Sequence, residues 1–414
     1  MSLETIHILL NIIMIFAALY LICIGAFTLG LFKIDTQHVI STEAKRNGEI
    51  SSNQFRQDSN GGDLFIKGEC FRKAQVSTSL EMTNRNVSVI IAAKNECQNI
   101  QTLLQSLYNQ SYSKEKFEVV LVDDHSDDDT YEISERFRAL YPEMRLKLLK
   151  ATGSGKKQAI SQALHAAENE LVMVTDADCE LPPRWIEVMV GYFMNHDLKM
   201  LLGPVLLSPT NTLFEKLQVL EHLSLIASTA GSATIGMPVM CNGANMMYNR
   251  QAALDVEKYR TDMRIASGDD MFLMEQFIKH YGSQSVKFLL DNEAIVKTAT
   301  MPNLKSFFRQ RTRWASKTKA YTNWKIIATA LIVLLFNLSI VFFFVAGFFM
   351  HVFWCLFVLY IILKTLIDFP ILKGITRFMK QQKLMRWIFP LEFVYPFYVV
   401  FTAFSGIVTK VRWK

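Results

Sequence analysis

Cysteine is scarce: six in 414 residues, at positions 23, 70, 97, 179, 241 and 355. They form no CxxC pair and no Cys/His ligand spacing, which excludes a disulfide scaffold and a zinc site. Two nucleotide fingerprints are missing as well. No GxGxxG follows the first strand-like run, and GSGKK (Gly153–Lys157) departs from GxxxxGK[ST] at both Lys150 and Lys157. That argues against a dinucleotide-binding enzyme and a P-loop ATPase. There is no internal repeat and no long low-complexity tract. Apolar residues are in excess, at 50% hydrophobic against 20% charged, with a mean hydropathy of +0.18. This composition excludes disorder as the main state. Forty-four Lys and Arg against 38 Asp and Glu leave a formal charge of +6.

The apolar excess is concentrated at the two ends. His7 to Phe32 carries no charged side chain, and a run of about 20 such residues crosses a bilayer as a helix. No Lys or Arg precedes it, and it exceeds a signal-peptide h-region of about 7–15 residues, so it reads as a retained anchor over 1–33. Three further apolar segments, Ile326–Phe349, Val352–Leu372 and Ile388–Val408, predict a C-terminal membrane region over 326–414. Basic residues in short loops stay cytoplasmic. Only Glu4 precedes the first span and Lys33 follows it, which places the central part of the chain in the cytoplasm and predicts a multi-pass plasma (inner) membrane protein. Arg377, Lys380, Lys383 and Arg386 fit an inner loop; Lys410, Arg412 and Lys414 do not fit a fourth crossing. Either the tail is an exception, or Ile388–Val408, with Pro390 and Pro396, does not cross fully. Lys364 and Asp368, four apart in the third span, read as a neutralising helix pair rather than an ion pathway. The polar stretch 34–85, broken at Gly61-Gly62, reads as a linker.

From Val87 a strand–helix rhythm begins. VSVIIAA (Val87–Ala93) is a β-branched run typical of a strand buried on both faces. Asn99 is placed to cap a helix to about Tyr108. EVVLVDD (Glu118–Asp124), RLKLLK (Arg145–Lys150) and LVMVTDAD (Leu171–Asp178) read as the next strands, with helices from Thr130 and over Lys156–Ala167. The alternation predicts a mostly parallel sheet in a domain over 86–303. Ligands of such sheets gather at the carboxyl ends of the strands, where Lys94-Asn95-Glu96, Asp123-Asp124 and Asp176-Ala177-Asp178 stand. Two carboxylates two residues apart can share one Mg²⁺, which takes the rest of its shell from water and phosphates; the plainer reading is a solvated turn.

Five blocks in order, VSVIIAAKNE (Val87–Glu96), VDDHSDDDT (Val122–Thr130), DAD (Asp176–Asp178), GDDMFL (Gly268–Leu273) and QRTRW (Gln310–Trp314), carry a resemblance. The sequence resembles the membrane-embedded glycosyltransferases of family 2, the group that includes cellulose, chitin and hyaluronan synthases and ceramide glucosyltransferase. The resemblance covers about Val87 to Trp314 and implies an α/β GT-A fold between transmembrane helices. It implies that Glu96 and one of Asp123 and Asp124, with Asp124 preferred, contact the nucleotide, and that Lys156, with Lys157 a close competitor, supports its phosphates. Asp176 would help hold the nucleotide sugar, and Asp178 would be the main ligand of an Mg²⁺ or Mn²⁺ ion near both. Asp270 would be the base. Gln310, Arg313 and Trp314 would flank the diphosphate and acceptor. Asn242, Gly243, Ala244 and Asp269 would face the acceptor. Two departures stand out: GDD where TED or GED is usual, so that Asp269 replaces Glu, and CNGA in place of an FCGS-type turn.

The chemistry agrees with these roles. A departing nucleoside diphosphate gains negative charge and needs a cation and basic side chains. An acceptor hydroxyl needs a carboxylate to take its proton. Asp270 opens a helix, so it also reads as an N-terminal charge favoured by the helix dipole. Arg309 to Lys325 holds basic residues and no acid, with Phe307, Trp314 and Tyr321 seven apart. This predicts an interfacial helix over 304–325, aromatics on the membrane lipids and cations toward headgroups, and makes nucleic acid a poor partner. The expected partners are a nucleotide-sugar donor, a UDP-sugar first, a lipid or membrane-tethered glycan acceptor, and an oligomeric or secretion partner. A processive polysaccharide synthase and a non-catalytic scaffold are the competing functions.

Overall fold

The computed structural model describes residues 3–46, 85–258 and 268–408; side chains are described from Leu10 to Ile34 in the first segment and for all but Asp269 in the last. Of the expected linker, residues 47–84 lie outside the described residues, as do Lys410, Arg412 and Lys414.

The chain begins with α1 (Leu3–Arg46), which continues past Lys33 as one helix. Then β1 (Val87–Ala93), α2 (Ile100–Tyr108), β2 (Phe117–Asp123), α3 (Thr130–Leu140), β3 (Arg145–Lys150), α4 (Lys156–Ala166) and β4 (Leu171–Val174) alternate. Every residue of β2 is buried, as a strand covered on both faces requires. On α2, Ile100, Leu103, Leu104 and Leu107 fall on one face and are fully buried. Each contributes about 1.5–3 kcal/mol by leaving water. Asn99 stands at the start of α2, but its amide donates to Glu96 Oε2 at 2.7 Å instead of closing the helix end.

The chain continues through α5 (Trp185–Asn195), β5 (Met200–Leu202), β6 (Val205–Ser208), α6 (Leu213–Thr234), β7 (Met246–Asn249), α7 (Arg250–Glu257), α8 (Asp269–Tyr281), β8 (Val286–Phe288) and β9 (Val296–Ala299). The main sheet has the order β3-β2-β1-β4-β7-β5-β8, and β6 pairs with β9 in a separate ribbon. Only β7 runs against its neighbours. Strand order turns back between β1 and β4, the crevice where such sheets bind ligands. The fourth strand is shorter than its sequence suggests. Its pairing with β7 stops at Val174, and Asp176 to Cys179 form a turn in which the Cys179 N–H donates to the Asp176 carbonyl at 3.2 Å. Both carboxylates of the DAD segment therefore sit on a loop beyond the strand.

The chain ends in α9 (Leu304–Ala315), α10 (Trp324–Gly347), α11 (Val352–Phe378) and α12 (Ile388–Val408). Among the described residues, four helical stretches are long and apolar enough to cross a membrane: Leu10–Ile34, Trp324–Gly347, Val352–Phe378 and Gln382–Val408. α12 runs unbroken through Pro396, as helices in apolar surroundings tolerate when neighbours satisfy the freed carbonyl. Lys364 and Asp368 do pair, at 2.6 Å, but the pair is part of a larger cluster. Glu392 of α12 also binds the Lys364 ammonium, and the Tyr20 hydroxyl of α1 reaches both Asp368 oxygens at 2.9 Å. α1 also packs on α6 at a crossing with no room for side chains: a Cβ on Gly30 would lie 2.2 Å from the Gly231 carbonyl oxygen.

The expected single interfacial helix over 304–325 does not form. α9 stops at Ala315, a tight turn spans Ser316–Ala320, and α10 starts afresh at Trp324. The aromatics set seven apart do not share a lipid-facing stripe. Phe307 is buried against Phe214 and Tyr398, and Tyr321 packs on Phe272. The reason is that α9 lies against α12 and buries its own face in protein.

Candidate active site

The ends of β1 and β2 carry the first polar groups. Asp124 is buried, accepts the Gly155 N–H on both oxygens at 3.0 Å and lies 3.2 Å from His125 Nδ1. It thus ties β2 to the glycine turn (φ +102 at Gly155) that starts α4. Asp123 differs. Its Oδ2 accepts from the Ser126 N–H at 3.3 Å, while its Oδ1 is buried with no hydrogen-bond partner among the described residues. Glu96 takes the Asn99 amide, and its own N–H donates to Thr130 Oγ1 at 2.8 Å.

The two competing lysines part at the start of α4. The Lys156 ammonium binds the Asp176 carboxylate. Lys157 turns inward, buried, with its ammonium 4.9 Å above the Phe272 ring. Asp178 accepts from the Thr298 hydroxyl of β9 at 3.2 Å. Burial pushes its carboxyl up from the ordinary aspartate range; the nearby Asp176 charge adds to this and Lys156 opposes it.

On the other side of the crevice, Gly268 enters α8 with φ +89, a left-handed conformation that favours glycine. Asp270 follows in the first turn of α8. Its Oδ2 accepts the Gly243 N–H at 3.1 Å, its Oδ1 accepts the Met271 N–H at 2.8 Å, and the Lys317 ammonium stands 3.9 Å from Oδ1. The Asn242 side chain closes the Asn242–Ala244 turn by accepting the Ala244 N–H at 3.0 Å. The GDD block and the CNGA turn, 27 residues apart, thus meet through one hydrogen bond. Asp269 opens α8, and its side chain lies outside the described residues. Tyr321 is packed nearby; burial first, then the Asp270 charge, drives its hydroxyl pKa far up.

Sequence reasoning missed the residue that organises QRTRW. Arg311 is buried. It pairs with Glu221 of α6 at 2.5 Å, donates to Gln310 Oε1 at 2.5 Å and lies 4.3 Å from the Trp314 ring. Tyr398 of α12 donates to the other Glu221 oxygen at 2.6 Å. The available signal was Glu221 itself, an acid among the apolar residues Val219, Leu220 and Leu223 of α6, which must find a cation when buried. Lys317, expected to face headgroups, is likewise a buried neighbour of Asp270.

One cavity of about 720 Å³ joins these groups. Lys156, Asp176, Asp178 and Thr298 line one part, and Asn242–Ala244 with Asp270 another. Gln310, Arg313 and Trp314 line it too, and it continues between the apolar helices to Lys364, Asp368 and Glu392. Glu96, Asp123 and Asp124 are not part of this lining.

The family model described as Glycosyl transferase family 2 matches residues 88–256, which hold β1 to α7 and the three carboxylate-bearing strand ends. Over that stretch the chain is similar to the family 2 glycosyl transferases. The chain is similar to the poly-β-1,6-N-acetyl-D-glucosamine synthase of Staphylococcus epidermidis, with 25% identity over 257 residues, 61% of this chain and 59% of that protein. A β-monoglucosyldiacylglycerol synthase of Synechocystis matches at 34% over 108 residues, 26% of this chain and 22% of that one. The chain thus spans under two thirds of the length of these relatives. Among solved structures, a mannosyltransferase from Pyrobaculum calidifontis in complex with GDP-Man and Mn²⁺ is 17% identical. Its TM-score is 0.48, covering 91% of this chain and 99% of that one. The expected mostly parallel α/β sheet between apolar helices is present.

Proposed function

We propose that this chain is an inverting glycosyltransferase that moves a sugar from a nucleotide donor, a UDP-sugar, to a hydroxyl of a membrane-bound acceptor, a lipid first. The observation that carries it is the single cavity bearing Asp176 and Asp178 on one part and Asp270 on another, open to the space between apolar helices. Asp123, with its unpaired buried oxygen, is better suited than Asp124 to take a hydrogen from the nucleotide, because Asp124 is committed to Gly155.

Asp176 and Asp178 fit a hard divalent cation, Mg²⁺ or Mn²⁺: two oxygen donors, one of them buried and disfavoured as a bare charge beside the other. Among the described residues no group of three His, Cys, Asp or Glu gathers there, so water and diphosphate oxygens would complete the shell. Such a cation supplies positive charge for the diphosphate. The protein's own part is then plain. Asp270 takes the proton of the acceptor hydroxyl. The oxygen bonds to the anomeric carbon as the bond from that carbon to the diphosphate oxygen breaks. Arg313 and Lys156 meet the negative charge on the leaving diphosphate. Four spans with the sheet domain on the cytoplasmic face fit this reading.

A second reading, a processive polysaccharide synthase, is favoured by the polymer named for the Staphylococcus relative over 61% of the chain. A silent scaffold is disfavoured, because the carboxylates keep a joined geometry. The test is UDP release by the purified full chain over a panel of UDP-sugars, with dioleoylglycerol vesicles or a β-1,6-linked N-acetylglucosamine tetramer added. Release with no donor of the panel overturns the proposal; stepwise growth of the tetramer favours the polymer reading.

A further inference from the structure

His222 stands apart among the buried polar side chains that line the cavity. It follows Glu221 on α6, is 4% exposed, and both its ring nitrogens are buried without a hydrogen-bond partner among the described residues. Its neighbours are satisfied. Glu221 has Arg311 and Tyr398, and Gln218 exchanges hydrogen bonds with the Met301 backbone. A buried polar group left unpaired costs about 1–3 kcal/mol. An imidazole that lines a cavity and is offered no more than the Val205 backbone by the described residues is suited to a ligand.

Its chemistry narrows the ligand class. Burial holds the His222 pKa down at about 4, and the Arg311 charge adds to this. The ring is therefore neutral at pH 7, with one nitrogen a donor and the other an acceptor. A neutral imidazole is poorly matched to a diphosphate, which needs cations, and well matched to a hydroxyl, which both donates and accepts. The diphosphate already has Lys156 and Arg313 on the same cavity.

We propose that His222 is an acceptor-binding residue, a hydrogen-bonding anchor for a neutral hydroxyl group of the acceptor within the cavity. This rests on the glycosyltransferase reading. The hydroxyl can belong to a lipid headgroup or to the end of a glycan, and the two probes above separate these sources.

The experiment compares the wild-type full chain with His222→Phe, which keeps the volume and loses both nitrogens, and His222→Gln, which keeps a donor and an acceptor. For each, the ratio of sugar transfer to donor hydrolysis is measured against concentration of dioleoylglycerol in phosphatidylcholine vesicles, and of the N-acetylglucosamine tetramer. In His222→Phe the ratio is expected to fall at least about tenfold for one probe, with a rise in its half-saturating concentration, and His222→Gln recovers part of it. Transfer and hydrolysis falling in parallel would make His222 a packing residue. An unchanged ratio would mean that only water pairs with it. Wild-type hydrolysis with transfer to neither probe also overturns the proposal, while absence of any hydrolysis overturns the glycosyltransferase reading beneath it. If His222→Phe fails to fold, the ratio in His222→Gln decides, with wild-type behaviour expected within a few-fold and a loss as large as an apolar replacement counting against the proposal.

Discussion

The proposed donor side and the proposed acceptor side are held by different means. Asp123 and Asp124 follow directly from β2, whose register is fixed by parallel pairing with β1, and Asp176 stands on the loop just past β4, which pairs with the other edge of β1. Backbone N–H groups anchor two of the carboxylates, Ser126 on Asp123 and Gly155 on Asp124, and the Lys156 ammonium holds that of Asp176. On the acceptor side, Gln310 and Trp314 take their places from Arg311, and Arg311 from Glu221, 90 residues away, and from Tyr398 through it. Asp123 and Asp124 are set by backbone geometry, and Gln310 and Trp314 by buried charges between helices, while Asp270 is again held by backbone N–H groups. A change to a donor-side ligand should therefore act on the leaving group alone. A change behind the acceptor side should act at a distance.

The largest effect is expected for Asp178→Asn. Loss of one charged ligand beside Asp176 removes stabilisation of the departing diphosphate, and turnover should fall about 10³-fold, the upper range for removing one electrostatic stabiliser. EDTA should do the same to the wild type. The check is donor turnover at matched folded protein, and full activity in EDTA would end the metal reading. Next comes Asp270→Asn, expected to lower transfer at least about 10²-fold while donor affinity, measured by calorimetry, stays within a few-fold. Equal loss of donor binding would move Asp270 to the donor side and erase the distinction between the two sides.

Glu221→Gln tests action at a distance. It leaves the Arg311 guanidinium buried without its carboxylate, a change that costs about 3–5 kcal/mol when a buried pair is broken. The melting temperature in detergent should drop, and acceptor transfer should suffer more than donor affinity, because Gln310 and Trp314 lose their support. Glu221→Gln with Arg311→Met, which removes both charges, should melt higher than Glu221→Gln alone. If it does not, the pair is not what holds α9 to α6.

The same division explains what the sequence made legible. The first three strands were readable to within a residue because β-branched apolar runs between polar turns leave little choice of element. The fourth was read too long. TDAD continues the run in composition, yet its partner β7 offers pairing only to Val174, and β7 is far away in sequence. The carboxylate clusters were found because strand ends are where polar residues interrupt apolar runs. Arg311 and Lys317 were passed over for the opposite reason. A cation next to an apolar span reads as a membrane flank, and only the fold shows that Glu221 and Asp270 are waiting for them. The interfacial helix failed on the same ground, since a seven-residue aromatic spacing cannot say whether lipid or α12 covers it.

The smallest effect separates two lysines that sequence treats alike. Lys317 is buried with its ammonium 3.9 Å from Asp270 Oδ1, and its stem lies against Gly268, where a Cβ would come within 2.8 Å of Lys317 Cδ. Lys319 is exposed, and its ammonium donates to the Ile407 carbonyl in the last turn of α12. A hydrogen bond or close contact to a charged group is worth about 1.5–3 kcal/mol when buried, and 1.4 kcal/mol is about tenfold. A cation at an exposed helix C-terminus is worth about 0.3–1 kcal/mol. Lys317→Ala should therefore lower transfer about tenfold, and Lys317→Arg should recover part of it by returning the charge. Lys319→Ala should lower the melting temperature by a degree or two and transfer by less than about twofold. The measurement is transfer rate and melting temperature for the three variants in the same membranes at matched protein level. Equal losses for Lys317→Ala and Lys319→Ala would mean that the turn between α9 and α10 matters only as a joint, and that Lys317 belongs to the membrane flank its sequence first suggests.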